Sequence, residues 1–223
     1  DPFDFADVKW LGRNIDISTA VSARAFADAR DAPQSGASRQ YLGLGKNQSI
    51  FASTKVASIR GVAQNMNANC QWPLSQWNSP ISDRELREAQ SLVGVENSDI
   101  VTGAAFTDTA ILSNDKISDY RILHFATHGL VTAPNPSCPA KPALLTSFGE
   151  QNSDGLLAFD EIFDLKLDAD IVILSACDTA GKASIAATRN AGVSSGGGTA
   201  LDGLVRSFIG AGGRSVLASH WPA

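Results

Sequence analysis

The chain is short of cysteine, methionine, tyrosine and charge, and each shortage narrows what it can be. Its 223 residues hold three cysteines, one methionine and two tyrosines, and 18% of them are charged. Cys70, Cys138 and Cys177 are too few for a disulfide framework and lack the paired spacing of a zinc site, so no metal is expected. No sequence feature points to a cofactor. No apolar run approaches the roughly 18 residues of a membrane-spanning helix, so no membrane partner is expected. Lysine and arginine are neither in excess nor clustered, and the net charge is −5, which excludes the basic footprint of a nucleic-acid binder.

The 43% of hydrophobic residues, in a chain this long, suffices for one large domain with a buried core or two small ones. The chain begins Asp1-Pro2-Phe3, with neither an initiator methionine nor a signal peptide. It ends at Trp221-Pro222-Ala223, straight after an apolar run that a doubly wound domain would cover with one more helix. The expectation is therefore a single domain over 1–223, C-terminally truncated, from a longer protein.

Apolar runs and breakers lay out the elements. An Ala-rich helix is expected over 19–30 behind the cap Ser18, and a strand over Tyr41–Leu44. Residues 61–80 read as mostly irregular. Ser82-Asp83-Arg84-Glu85 has the form of a capping box, opening a helix that runs to Val93 and stops at Gly94. A strand over 99–102, a helix over 107–112, strand 120–126, a Pro-rich loop 129–154, helix 159–165, strand 171–174, loop 178–198, helix 199–210 and strand 215–219 complete the chain. This alternation indicates βαβ units and a parallel sheet.

Two blocks concentrate the chemistry: Ile122-Leu123-His124-Phe125-Ala126-Thr127-His128-Gly129 and Ile171-Val172-Ile173-Leu174-Ser175-Ala176-Cys177-Asp178-Thr179. Each is an apolar run that stops at a reactive side chain. Buried strands of a parallel sheet look like this, and ligands of such sheets bind beyond the carboxyl ends of the strands. His128 and Cys177 are thus expected on one rim, as a histidine–cysteine dyad. Gly129 has no side chain to block a substrate carbonyl, so the N–H groups of Gly129 and Cys177 could form an oxyanion hole. Both long loops follow these residues directly and exceed the usual connection of about 2–6 residues.

His124, four residues earlier on the strand, reads as a hydrogen-bonded core histidine. Trp221 reads equally as a substrate-pocket wall and as a packed aromatic. Cys70 and Cys138 are the two thiols left to form a disulfide, which would go with an exported protein; two unrelated loop thiols is the competing reading. Gly192-Val193-Ser194-Ser195-Gly196 matches a nucleophile elbow but lacks the preceding strand. Gly45-Lys46 lacks the remaining residues of a phosphate loop.

The blocks His124–Gly129 and Leu174–Thr179 resemble those of the CHAT domain, a caspase-like peptidase family found mainly in bacteria beside tetratricopeptide repeats and related to separase. The resemblance extends to Tyr41–Gly45, the Glu85 helix, Thr102-Gly103, Asp154–Leu157 and Gly210–Pro222. It implies a caspase-haemoglobinase-like three-layer α/β fold around a mostly parallel sheet. It also implies a cysteine endopeptidase with His128 and Cys177 as catalytic dyad, acting on a protein or peptide and regulated by flanking repeats or partners. A catalytically silent interaction module is the alternative. The spacing of 49 residues between His128 and Cys177 is close to the separation of about 50 seen in caspases. The chain lacks the caspase cysteine signature, and Ser175 stands where metacaspase-like peptidases carry an acidic residue for a basic substrate side chain. Ser175 and Asp178 are the remaining candidates for substrate contact.

Overall fold

The computed structural model describes residues 9, 15, 23–50, 72–130, 142–150, 153–176 and 198–218. Contacts group the chain into two units, residues 1–33 and 34–223. In the first, helix α1 (Ala23–Asp31) forms where the alanines, strong helix formers, predict one. Ser18, its expected cap, lies outside the described residues.

In the second unit, five strands form one parallel sheet: β1 (Arg39–Asn47), β2 (Ser98–Gly103), β3 (Tyr120–Ala126), β7 (Ile171–Ser175) and β8 (Val216–Ala218). Their order is β2-β1-β3-β7-β8. Helix α2 (Arg84–Val93) links β1 to β2 on one side of β1. Helices α3 (Asp108–Leu112), α4 (Phe159–Phe163) and α5 (Gly198–Gly210) serve the connections running the other way. Right-handed crossovers in opposite directions put α2 on one face and the other three helices on the opposite one. The result is the three-layer α/β arrangement expected from the sequence.

Strand alternation sorts the side chains between these layers. Leu42, Leu44, Leu123, Phe125, Val172 and Leu174 join Phe106, Ile111, Ile162, Leu204 and Phe208 in one buried cluster. The rings of Phe125 and Phe208 stand 5.2 Å apart between centroids. Tyr41 and His124 face the other way, towards α2, whose Leu86 is fully buried.

Several expectations need correction. The segment 129–154 is not one loop. It contains β4 (Gly129–Leu130) and β5 (Ala143–Leu145), which with β6 (Leu156–Ala158) make a second, antiparallel sheet in the order β4-β5-β6. Strands of two and three residues are too short to show a period in sequence. Strand β1 extends well beyond Tyr41–Leu44 because its glycines fit the sheet: a Cβ on Gly45 would lie 2.2 Å from the Ala126 carbonyl oxygen. Within 61–80, a short 3-10 turn (Leu74–Asn78) buries Trp77, while 61–71 lie outside the described residues. Helix α4 stops at Phe163, short of its expected end, and β8 begins at Val216, one residue later than expected; residue 219 lies outside the described residues. Loop residues 178–197 lie outside the described residues.

The capping box does not form. Helix α2 starts one residue later than the motif requires, and Asp83 at its cap makes no side-chain cap bond. Ser82 Oγ accepts from the Arg84 N–H at 3.2 Å, but Glu85 points to partners on the sheet instead of back to the cap.

Candidate active site

Strands β3 and β7 are parallel neighbours, and their register pairs Ala126 with Ser175. His128 follows the first of these by two residues and Cys177 follows the second by two. Cys177 itself lies outside the described residues, as do Asp178, Trp221, Cys70 and Cys138. The strand order reverses between β1 and β3, and ligands of open α/β sheets bind beyond the carboxyl ends of the strands at such a reversal.

His128 is buried just beyond the end of β3, with 8% of its surface exposed. Its Nε2 lies 2.5 Å from the Ser79 carbonyl oxygen. A carbonyl can only accept, so Nε2 carries a proton and donates it. Nδ1 is buried and has no hydrogen-bond partner among the described residues. A buried polar atom left unpaired costs about 1–3 kcal/mol, and among the described residues nothing offsets that cost at Nδ1.

The backbone around His128 is held on both sides. Thr127 Oγ1 donates to the Leu145 carbonyl at 2.5 Å, and the Leu145 N–H donates to the His128 carbonyl at 2.8 Å. Ser79 is fixed in turn through the 3-10 turn before it. There Trp77 Nε1 donates to the Thr146 carbonyl at 2.9 Å and Asn47 Nδ2 donates to the Trp77 carbonyl at 2.9 Å. The second sheet and its apolar cluster of Ile50, Trp77, Leu130 and Leu145 therefore orient the imidazole.

Gly129 is buried at the start of β4, next to Ala176. A Cβ there would sit 3.5 Å from the Ala176 carbonyl oxygen and 3.6 Å from its Cβ, which is ordinary contact. Nor is Gly129 among the described glycines with a left-handed φ. Among the described residues, neither packing nor backbone conformation demands glycine at this position.

His124 behaves as expected of a core histidine, with 3% exposure and a partner on every side. Nδ1 is 3.1 Å from the Tyr41 hydroxyl, while Nε2 is 3.1 Å from Glu85 Oε1 and 3.2 Å from Ser175 Oγ. Ser175 Oγ donates to Glu85 Oε1 at 2.6 Å. With that hydroxyl proton committed, Nε2 faces two acceptors and must carry a proton. Burial holds the His124 pKa below its ordinary value against the opposing pull of Glu85, so the ring is neutral and Nδ1 accepts from Tyr41. Burial, reinforced by the Glu85 charge, likewise pushes the Tyr41 hydroxyl well up, keeping it a donor. Ser175 is thus anchored at the rim by groups from α2 and β3.

Across residues 4–223 the chain matches the family model of the CHAT domain. The chain belongs to the CHAT domain family. Comparison with curated proteins gave no match. CHAT domains are caspase-like, peptidase-related modules, and the parallel sheet with its flanking helices agrees with that relationship. Three contributors to this CHAT domain's rim were not found by sequence reasoning. Ser79 acts through a backbone carbonyl, which leaves no side-chain signal. Glu85 was concealed by its resemblance to a capping residue, and Tyr41 by its place in an apolar strand.

Proposed function

We propose that this CHAT domain is a cysteine endopeptidase in which Cys177 and His128 form the dyad. One observation supports it above others: His128 is locked by the Ser79 carbonyl with its Nδ1 buried and without a partner among the described residues, just beyond the strand next to the one leading into Cys177.

In this reading Nδ1 takes the thiol proton of Cys177 as the sulfur attacks the substrate carbonyl carbon. The oxygen of the tetrahedral adduct becomes negative and is held by the N–H groups of Gly129 and Cys177. The C–N bond then breaks, and His128 Nδ1 delivers its proton to the departing amine. Water, deprotonated by the same nitrogen, attacks the thioester and releases the acid and the free thiol. The Ser79 bond keeps Nε2 protonated throughout, so one nitrogen performs every transfer.

Hydrolysis of a mixed-sequence peptide library, read by mass spectrometry, tests this reading. Wild-type protein should cleave internal peptide bonds. Cys177→Ala should cleave none, and His128→Ala should be slower by about 10²–10⁴-fold. Cleavage that persists in Cys177→Ala would refute the reading.

A further inference from the structure

We infer that Glu85 is the receptor for a basic side chain, arginine or lysine, on the acyl side of the scissile bond. The inference rests on the peptidase reading and adds a specificity determinant to it. Four observations on the rim support it.

First, Glu85 is pre-positioned. Its Oε1 accepts from both Ser175 Oγ and His124 Nε2, so the carboxylate is held at the last residue of β7. Second, no cation compensates its charge among the described residues. The described cations around it are engaged elsewhere: Arg84 pairs with Glu88 at 2.7 Å, while Arg87 and Lys46 pair with Asp83 at 2.7 and 3.0 Å. The ionic partner Glu85 has among the described residues is His124, which burial keeps neutral. Third, the carboxylate remains reachable, because 53% of the Glu85 side chain is exposed although Oε1 is anchored. Fourth, three other side chains are committed to holding this one group. Tyr41 orients the buried His124, and His124 and Ser175 hold Glu85.

A half-exposed anion with one oxygen tied suits a guanidinium or ammonium group. Such charge-assisted bonds are stronger than neutral ones, and a planar guanidinium adds directional fit. The acyl-side residue is the one joined to Cys177 in the thioester. Ser175, which holds Glu85, ends β7 two residues before Cys177 in the sequence.

The test compares two peptidyl acyloxymethyl ketones that differ only in the acyl-side residue, arginine or its neutral isostere citrulline. Alkylation of Cys177 is followed by intact-mass spectrometry. Wild-type protein should react at least about tenfold faster with the arginine compound, the loss expected on removing a charged hydrogen-bond partner. In Glu85→Gln, which keeps acceptors for Ser175 and His124 but removes the charge, the ratio should fall close to one. Equal rates in the wild type would overturn the inference, as would a preference that survives Glu85→Gln or disappears instead in Asp178→Asn. If neither compound alkylates Cys177, the peptidase reading fails separately. The charge claim is then decided by titrating wild-type protein with benzamidinium and with neutral benzyl alcohol, followed by NMR. Binding of the cation alone upholds a cation site on Glu85 if Glu85→Gln abolishes it. Equal response to both, or unchanged binding in the variant, overturns the inference.

Discussion

His124 and His128 leave the same strand four residues apart and meet opposite surroundings. The first is saturated by Tyr41, Glu85 and Ser175, and the second is held on one nitrogen and has no partner among the described residues on the other. The difference has a measurable consequence for stability. Burial lowers the folded-state pKa of His124 beneath its ordinary value of 6.5, so the unfolded chain takes up this proton first as pH falls. The contribution is complete above about pH 6.5, falls away below it, and levels off beneath the folded value. Urea unfolding from about pH 7.5 down to about pH 5 should show wild-type stability dropping more steeply than that of His124→Gln, which cannot titrate. Parallel slopes would mean that burial does not shift the His124 pKa on folding, and a shallower wild-type slope that the ring is held charged in the folded protein. At this scale sequence reasoning placed His124 in the core and His128 on the rim, because alternation and a terminal His-Gly pair are visible in the residues. It could not show Ser79, since a backbone carbonyl is the same in every residue.

Among the elements, close approach of β1 to β3 sets the site. Gly45 faces Ala126, the residue whose partner in β7 is Ser175. An alanine there would place its Cβ 2.2 Å from a backbone oxygen that cannot rotate away, with the Leu86 side chain 3.2 Å off. Gly45→Ala should lose about 1–3 kcal/mol in chemical denaturation. Gly36→Ala, where the nearest atom is the Asp168 carboxylate at 3.5 Å, is the matched control and should change little. Similar losses for both would show that Gly45 is not wedged against β3. On the opposite face, Phe208→Ala removes a fully buried ring from between α5 and Phe125 and should cost about 3–5 kcal/mol. The elements legible in sequence were those with long apolar runs or helical spacing, such as β3, β7 and α5. Strand β1 was seen only over 41–44 because Gly43 and Gly45 lower its strand signal, although glycine is what the packing needs there. The capping-box pattern at Ser82–Glu85 marked a real helix start for the wrong reason, because a glutamate's use is decided by what faces it.

For the molecule as a whole, topology decides where chemistry can occur. Reversal of the strand order at β1 and β3 opens the rim beside His128, and the small antiparallel sheet supplies the contacts that orient its ring. Glu85 adds a negative charge from α2, so one helix and both sheets contribute to one edge. The most direct test of this arrangement is the rate and position of covalent labelling by a panel of peptidyl acyloxymethyl ketones, mapped by peptide mass spectrometry on unreduced protein. The expected result is a single adduct on Cys177, formed faster with a peptide attached than with the bare electrophile and slowed in His128→Ala, with Cys70 and Cys138 unlabelled. Labelling spread over all three cysteines, at rates indifferent to the peptide and to His128, would contradict a dyad on this rim.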